Sequence, residues 1–249
     1  MIGRLCFSSF YVEVLGAKVN SDAFEQLAQS MDASIVRKLA KDAFQLESVL
    51  LGQAGLLIEP KKDRYYNQLV DEYAFAKAKF QLQPALIPMK FFRLRPANYP
   101  TIRISQLAML YHRSPQLFGE ILLSKTRKEI HNLFNIKAAT YWNTHHVFDK
   151  ETKIREKILT PSFIDLLIIN CIVPVKFVHA QFSSKDKTEE LLELMYDLKS
   201  ESNTIVDGFK KLGRITNALE SQAVLQLKPN YCDVNKCLDC DIGIALLRG

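Results

Sequence analysis

Two groups of residues in this chain have the types and spacing to do chemistry. The first is Cys232, Cys237 and Cys240, in NYCDVNKCLDCDIG. Four residues separate the first two thiols and two separate the last pair. A loop that short can wrap one metal ion, with Cys237 and Cys240 pinching it. Three thiolates suit zinc or an iron–sulfur cluster equally well. The run matches the C-x4-C-x2-C pattern of plant-type ferredoxins, which add a fourth cysteine further on. No later cysteine follows here, so a fourth ligand comes from upstream: Cys171, His179 or another histidine. The alternative is a set of reduced thiols packed as small hydrophobes. Cys6 and Cys171, each in an apolar run, read as core.

The second group lies in FFRLRPANYPTIRISQLAMLYH, Phe91–His112, which crowds Arg93, Arg95, Asn98, Arg103 and Gln106 around two prolines. Guanidinium groups make bidentate contacts to phosphate or carboxylate, so Arg93, Arg95, Asn98 and Arg103 form a candidate anion site. Pro96 and Pro100 set an extended entry and a turn. Thr101 is expected to cap the following helix, placing Arg103 in its first turn, where free N–H groups favour an anion. Arg93 and Arg95 alternate to one side of an extended chain. The competing reading turns these arginines inward, onto backbone carbonyls or acids such as Asp165.

The elements that must position both groups are helical almost throughout, since no stretch alternates convincingly. Ile2–Leu15 reads as a helix stopped at Gly16, and Asn20 or Ser21 caps a second with Phe24, Leu27, Ala28 and Met31 on one face. Helices follow over Ser34–Lys41, Asp42–Leu51 and Lys62–Gln81; Gly52-Gln53-Ala54-Gly55 reads as a C-cap with close packing, not as a phosphate loop. Tyr65, Tyr66 and Tyr73 read as core. Ser114-Pro115 and Thr160-Pro161 are cap-plus-proline helix starts. Thr126–Phe134 is a helix with Lys125, Arg127 and Lys128 at its start, a charge order that opposes the dipole and hints at a facing anion. Tyr141–Phe148 reads as a helical aromatic anchor whose His145-His146 pair does not share an ion. The most apolar helix begins at Pro161, is expected to be central, and should kink or end at Pro174. Helices over Thr188–Leu198, Asn203–Leu212 and Ser221–Leu227 complete the count. The expected fold is all-α, one helical domain over residues 1–249 of roughly a dozen helices with a C-terminal cysteine-rich loop; any subdomain boundary falls near 149–158.

Composition agrees. A 249-residue chain that is 48% hydrophobic and 24% charged can bury a full core. Its net charge of +6 suits an acidic partner such as nucleic acid without demanding one. Phe163–Val178 is interrupted by Asp165, Asn170, Pro174 and Lys176, so no transmembrane helix is expected. Glu13 and the missing small-x-small site argue against a signal peptide. Five cysteines, three of them clustered, favour free thiols in a reducing cytoplasm over a disulfide framework.

The combination FRLRPANYPTIRISQLA, FQLESVLLGQAGLL and NYCDVNKCLDCDIGIALL resembles a bacterial family known as domain of unknown function 2851, over essentially the whole chain. The resemblance implies no activity and carries no catalytic residues. Longer members have an N-terminal region similar to restriction-type nucleases, with GPDF-like and VE-x-H-like patterns that are missing here. If that region is the catalytic part, the resemblance implies that this chain is the helical accessory half of a nuclease-like protein or a truncated product of it. Three functions are therefore open: a non-catalytic module that binds nucleic acid or another polyanion through the arginine turn, an enzyme acting on a small anionic substrate with Asp165 or a histidine as acid or base, and a scaffold with internal arginines.

Overall fold

The structure is a computed structural model that describes residues 19–248. The predicted helix Ile2–Leu15 and Cys6 lie outside them. The class is all-α, as expected. The chain divides into two compact units, Met1–His179 and Ala180–Gly249, and the charged stretch 149–158 belongs to the first.

In the first unit, helix α1 covers residues 19–29, followed by α2 (Ala33–Leu39), α3 (Ala43–Gln53) and α4 (Arg64–Phe80). Asp32, Asp42 and Asp63 accept backbone N–H groups at the starts of α2, α3 and α4. Asn20 caps nothing. It lies inside α1, buried, and its amide exchanges hydrogen bonds with the backbone of Lys90 at 2.7 and 2.8 Å.

The centre of this unit is α3, not the Pro161 helix. From Leu46 to Gln53 every residue is buried, which is the pattern of a helix enclosed on all sides. The ring of Tyr73 on α4 sits flat on Gly52, where any Cβ would overlap it. Gly55 then takes a positive φ of 72° to end the helix. The small-residue run is therefore packing and cap.

Helix α5 (Pro100–Arg113) packs on the other side of α3, and α6 (Leu117–Leu123) and α7 (Arg127–Leu133) follow. The Ser114-Pro115 start is displaced: α6 begins two residues later, after Gln116, with no side-chain cap. Thr126 and Glu129 form a reciprocal capping box on α7.

Tyr141–Phe148 is not a helix. A 3-10 turn, Thr140–Asn143, leads into β1 (His145–Val147), which pairs antiparallel with β2 (Lys150–Glu151) across a turn where Asp149 has φ 62°. The ladder is irregular between His145 and Val147, and the two imidazoles have different neighbours, His145 stacking on Tyr141 and His146 meeting Tyr99.

The next helix is continuous from Pro161 to Phe182. Thr160 caps α8 (Pro161–Leu167), a π-turn spans Ile168–Ile172, and α9 (Val173–Phe182) continues past Pro174. The wider turn absorbs the hydrogen bond that Pro174 cannot donate, so the helix neither ends nor breaks there. By length and composition this is the one described helix apolar enough to cross a membrane. It also carries Asp165 and buried Lys176, and packs Leu167, Ile168 and Ile172 into the unit as a core helix does.

The second unit holds α10 (Thr188–Asp197), α11 (Thr204–Phe209), α12 (Ala218–Leu227) and α13 (Asp241–Arg248). Asn203 and Asn217 cap α11 and α12. A second π-turn, Lys228–Cys232, accommodates Pro229, and a 3-10 turn, Cys237–Asp239, precedes α13. The cysteine-rich loop is thus two turns and a helix.

Candidate functional site

The arginine turn is held from behind. Gln26 of α1 accepts the N–H groups of Leu86 and Ile87 at 2.7 and 2.6 Å, and Asn20 grips Lys90. The extended segment is thereby fixed before it reaches Phe91. There the chain turns, Leu94 N–H donating to the Phe91 carbonyl at 3.4 Å, with Arg93 left-handed at φ 62°. This corrects the expected extended run that put Arg93 and Arg95 on one side. Pro96–Asn98 then form a 3-10 turn, and Tyr99, with φ −62° and ψ 143°, is the residue preceding α5. Pro100 is its first residue, so Thr101 is inside the helix, not at its cap. The Thr101 hydroxyl instead donates to the His146 carbonyl at 2.6 Å.

The candidate residues separate into two pairs. Arg103 is buried, and its guanidinium donates to Asn98 Oδ1 at 2.6 Å and Gln106 Oε1 at 2.9 Å. It also lies 3.9 Å from the centre of the Phe163 ring. Gln106 passes the link on, donating to the Lys157 carbonyl at 2.9 Å. Arg103 and Asn98 are thus a clamp joining the turn, α5, the strand-following segment and α8. Arg93 and Arg95 remain exposed, the Arg93 guanidinium 5.2 Å from the Phe92 ring. Phe92 is 77% exposed.

Further cations adjoin this face. Tyr99 meets the Phe91 ring edge-on at 5.2 Å and the His146 ring at 6.4 Å. Burial holds His146 below its ordinary value, and the positive charges of Lys157 and Arg155 lower it further. Lys157 is itself lowered by burial and then by Arg155, while its ammonium donates to the carbonyls of Asn143 and Arg155 at 3.1 and 2.9 Å. Lys157 is thus a buried cation, and Arg155 beside it is exposed.

A second polar cluster escaped the sequence reading. Glu47, wholly buried on α3, accepts from Trp142 Nε1 and the Tyr65 hydroxyl, both at 2.6 Å. Burial raises its carboxyl above the ordinary range, against the opposing pull of its donors, Ser105 among them. Tyr141 is sandwiched between Tyr65 at 4.2 Å and His145 at 4.1 Å, and donates to Asp63. Of the three tyrosines expected in the core, Tyr66 is buried there, while Tyr65 and Tyr73 are half-buried. Glu47 carried no local signal, because its partners lie up to 95 positions away.

Asp165 answers the charge order at α7. Arg127 holds it with two bonds of 2.8 Å, and His131 adds a third at 2.8 Å. Burial raises the Asp165 carboxyl, but these donors outweigh it and keep it below its ordinary value. The anion facing Arg127 is internal, and Asp165 is not the partner of Arg103.

Among the described residues, no three His, Cys, Asp or Glu side chains converge as a metal-ligand set. Cys232, Cys237 and Cys240 therefore do not form the cage their spacing suggests. Cys232 closes the π-turn, Cys237 opens the 3-10 turn and Cys240 directly precedes α13. Asn235, left-handed at φ 56°, turns the chain between the first two. Of the upstream candidates, Cys171 is buried with its thiol pushed up to about 12, and His179 lies edge-on to Phe118.

A family model described as protein of unknown function (DUF2851) matches residues 4–204. The chain belongs to that family. The matched region contains the arginine turn, the Glu47 cluster and Asp165, and it stops short of the three C-terminal cysteines. No curated protein and no solved structure matches the chain.

Proposed function

We propose that this chain is a non-catalytic helical module that binds nucleic acid through the outer half of the arginine turn, in a cytoplasmic setting. The observation that carries the reading is the exposure of Arg93 and Arg95 on a turn that also presents an open aromatic ring. Arg93 and Arg95 are both exposed, Arg93 lies against an exposed Phe92, and next to Tyr99 the charges of Arg155 and Lys157 bear on His146. Guanidinium groups take up phosphates, and an open aromatic face suits an unpaired base. The net charge of +6 favours the same partner.

The test is fluorescence anisotropy of a labelled single-stranded oligonucleotide across a salt series. Binding should weaken linearly in log–log form, and the Arg93→Ala/Arg95→Ala double variant should reduce the slope by about 2. Absence of binding to DNA and RNA at low salt would overturn the proposal. A second reading, the pure scaffold, is favoured by the inward clamp of Arg103 and Asn98, and it predicts no binding at any salt.

A further inference from the structure

We infer that Cys237 and Cys240 are a redox-active dithiol, a site for thiol–disulfide exchange with low-molecular-weight disulfides. The two residues begin and follow one 3-10 turn, the Cys240 N–H reaching the Cys237 carbonyl at 3.4 Å. With three residues per turn, positions i and i+3 eclipse, and a rise of about 2 Å per residue separates their Cα atoms by roughly 6 Å. A disulfide needs a Cα separation of about 4.4–6.8 Å. Both are free thiols; Cys237 is exposed and Cys240 half-buried.

The turn is also fixed from below. The Cys237 carbonyl lies so close to Gly243 of α13 that any Cβ there would overlap it. Cys240 supplies the carbonyl for the first bond of the same helix, accepting from Ile244 N–H at 2.8 Å. Both ends of the dithiol are therefore attached to α13. Cys232 belongs to the preceding π-turn, on the other side of the left-handed residue Asn235.

The exchange balances without a metal or cofactor. Cys237, as its thiolate, attacks one sulfur of oxidised glutathione, forming a mixed disulfide and releasing one glutathione thiolate. Cys240 then loses its proton to solvent and attacks the Cys237 sulfur, releasing the second. The protein loses two electrons and two protons, and the oxidant gains them as two thiols.

The test uses the full chain, incubated with oxidised glutathione, alkylated and cut with trypsin. Cleavage after Lys236 and Arg248 yields peptide 237–248, which holds both cysteines and not Cys232. The expected result is that peptide lighter by two hydrogens, unalkylated, and restored by dithiothreitol. The Cys232→Ser variant should behave the same, while Cys237→Ser and Cys240→Ser should stop at a stable glutathione adduct on the remaining thiol. Two alkylated thiols after oxidation, an unresolved adduct in the wild-type chain, or a bridge to the Cys232 peptide would each overturn the assignment.

Discussion

The Glu47 cluster and the arginine turn are both dense in polar side chains, yet they use them in opposite ways. Around Glu47 the named donors turn inward: Trp142 and Tyr65 donate to one carboxylate, and Tyr141 ties the stack to Asp63. At the turn, one arginine is consumed and two are left facing water. The difference is in the neighbours, not the residue types. Arg103 has Asn98, Gln106 and the face of Phe163 within reach, whereas Arg93 has an aromatic ring that is itself exposed. A polar group enclosed by partners fixes a fold, and one presented on a rigid support is available to a ligand.

Five substitutions test that contrast, in decreasing order of expected effect. Glu47→Leu removes the acceptor from buried Trp142 and Tyr65 donors, and should cost about 3–5 kcal/mol in denaturant unfolding through the midpoint, not the slope. A loss below about 1 kcal/mol would mean that the cluster is not a structural hub. Next, Arg103→Ala should cost about 2–3 kcal/mol, since it breaks two charge-assisted hydrogen bonds and the stack on Phe163. Lysine there should rescue little, having no planar fork. If Arg103→Ala instead left the melting curve intact and abolished oligonucleotide binding, the inward assignment of Arg103 would be wrong.

Asp165→Asn is expected to cost about 1–2 kcal/mol at neutral pH, with a pH signature. The folded carboxyl titrates below its ordinary value of 3.8, so its contribution is fully present above that pH and is lost as pH falls through the folded value. The gap in melting temperature between wild type and variant should therefore be constant near neutrality and close in acid. A gap that widens in acid would contradict the sign. Last, Arg93→Ala and Arg95→Ala should each change stability by less than about 0.5 kcal/mol while lowering the salt slope of binding by about 1.

Local chemistry was readable from the chain. Thr160-Pro161, the Thr126 start and Gly55 gave helix boundaries, because a cap is formed by residues a few positions apart. The reversed charges at α7 even announced an anion, which proved to be Asp165. What periodicity could not supply was everything joined across long separations. Asn20 looked like a cap because nothing near it reveals Lys90, 70 positions on. Helix α3 looked one-sided because Glu47, Ser48 and Gln53 are polar, and only their distant surroundings bury them. The candidate site divided for the same reason: Phe163 and Lys157, which turn Arg103 and Gln106 inward, belong to later segments.

The π-turn at Ile168–Ile172 gives the long helix a further property. One extra residue in a turn advances everything beyond it by about 100° around the axis. The rod from Pro161 to Phe182 therefore shows its neighbours two faces out of phase, Asp165 meeting Arg127 before the turn and Lys176 meeting the Ser124 carbonyl after it. Its fit is keyed to residue count more than to the identity of exposed positions such as Asn170. A one-residue deletion there would rotate the Lys176 ammonium away from the Ser124 carbonyl and drive Pro174 into a regular turn that cannot accept it.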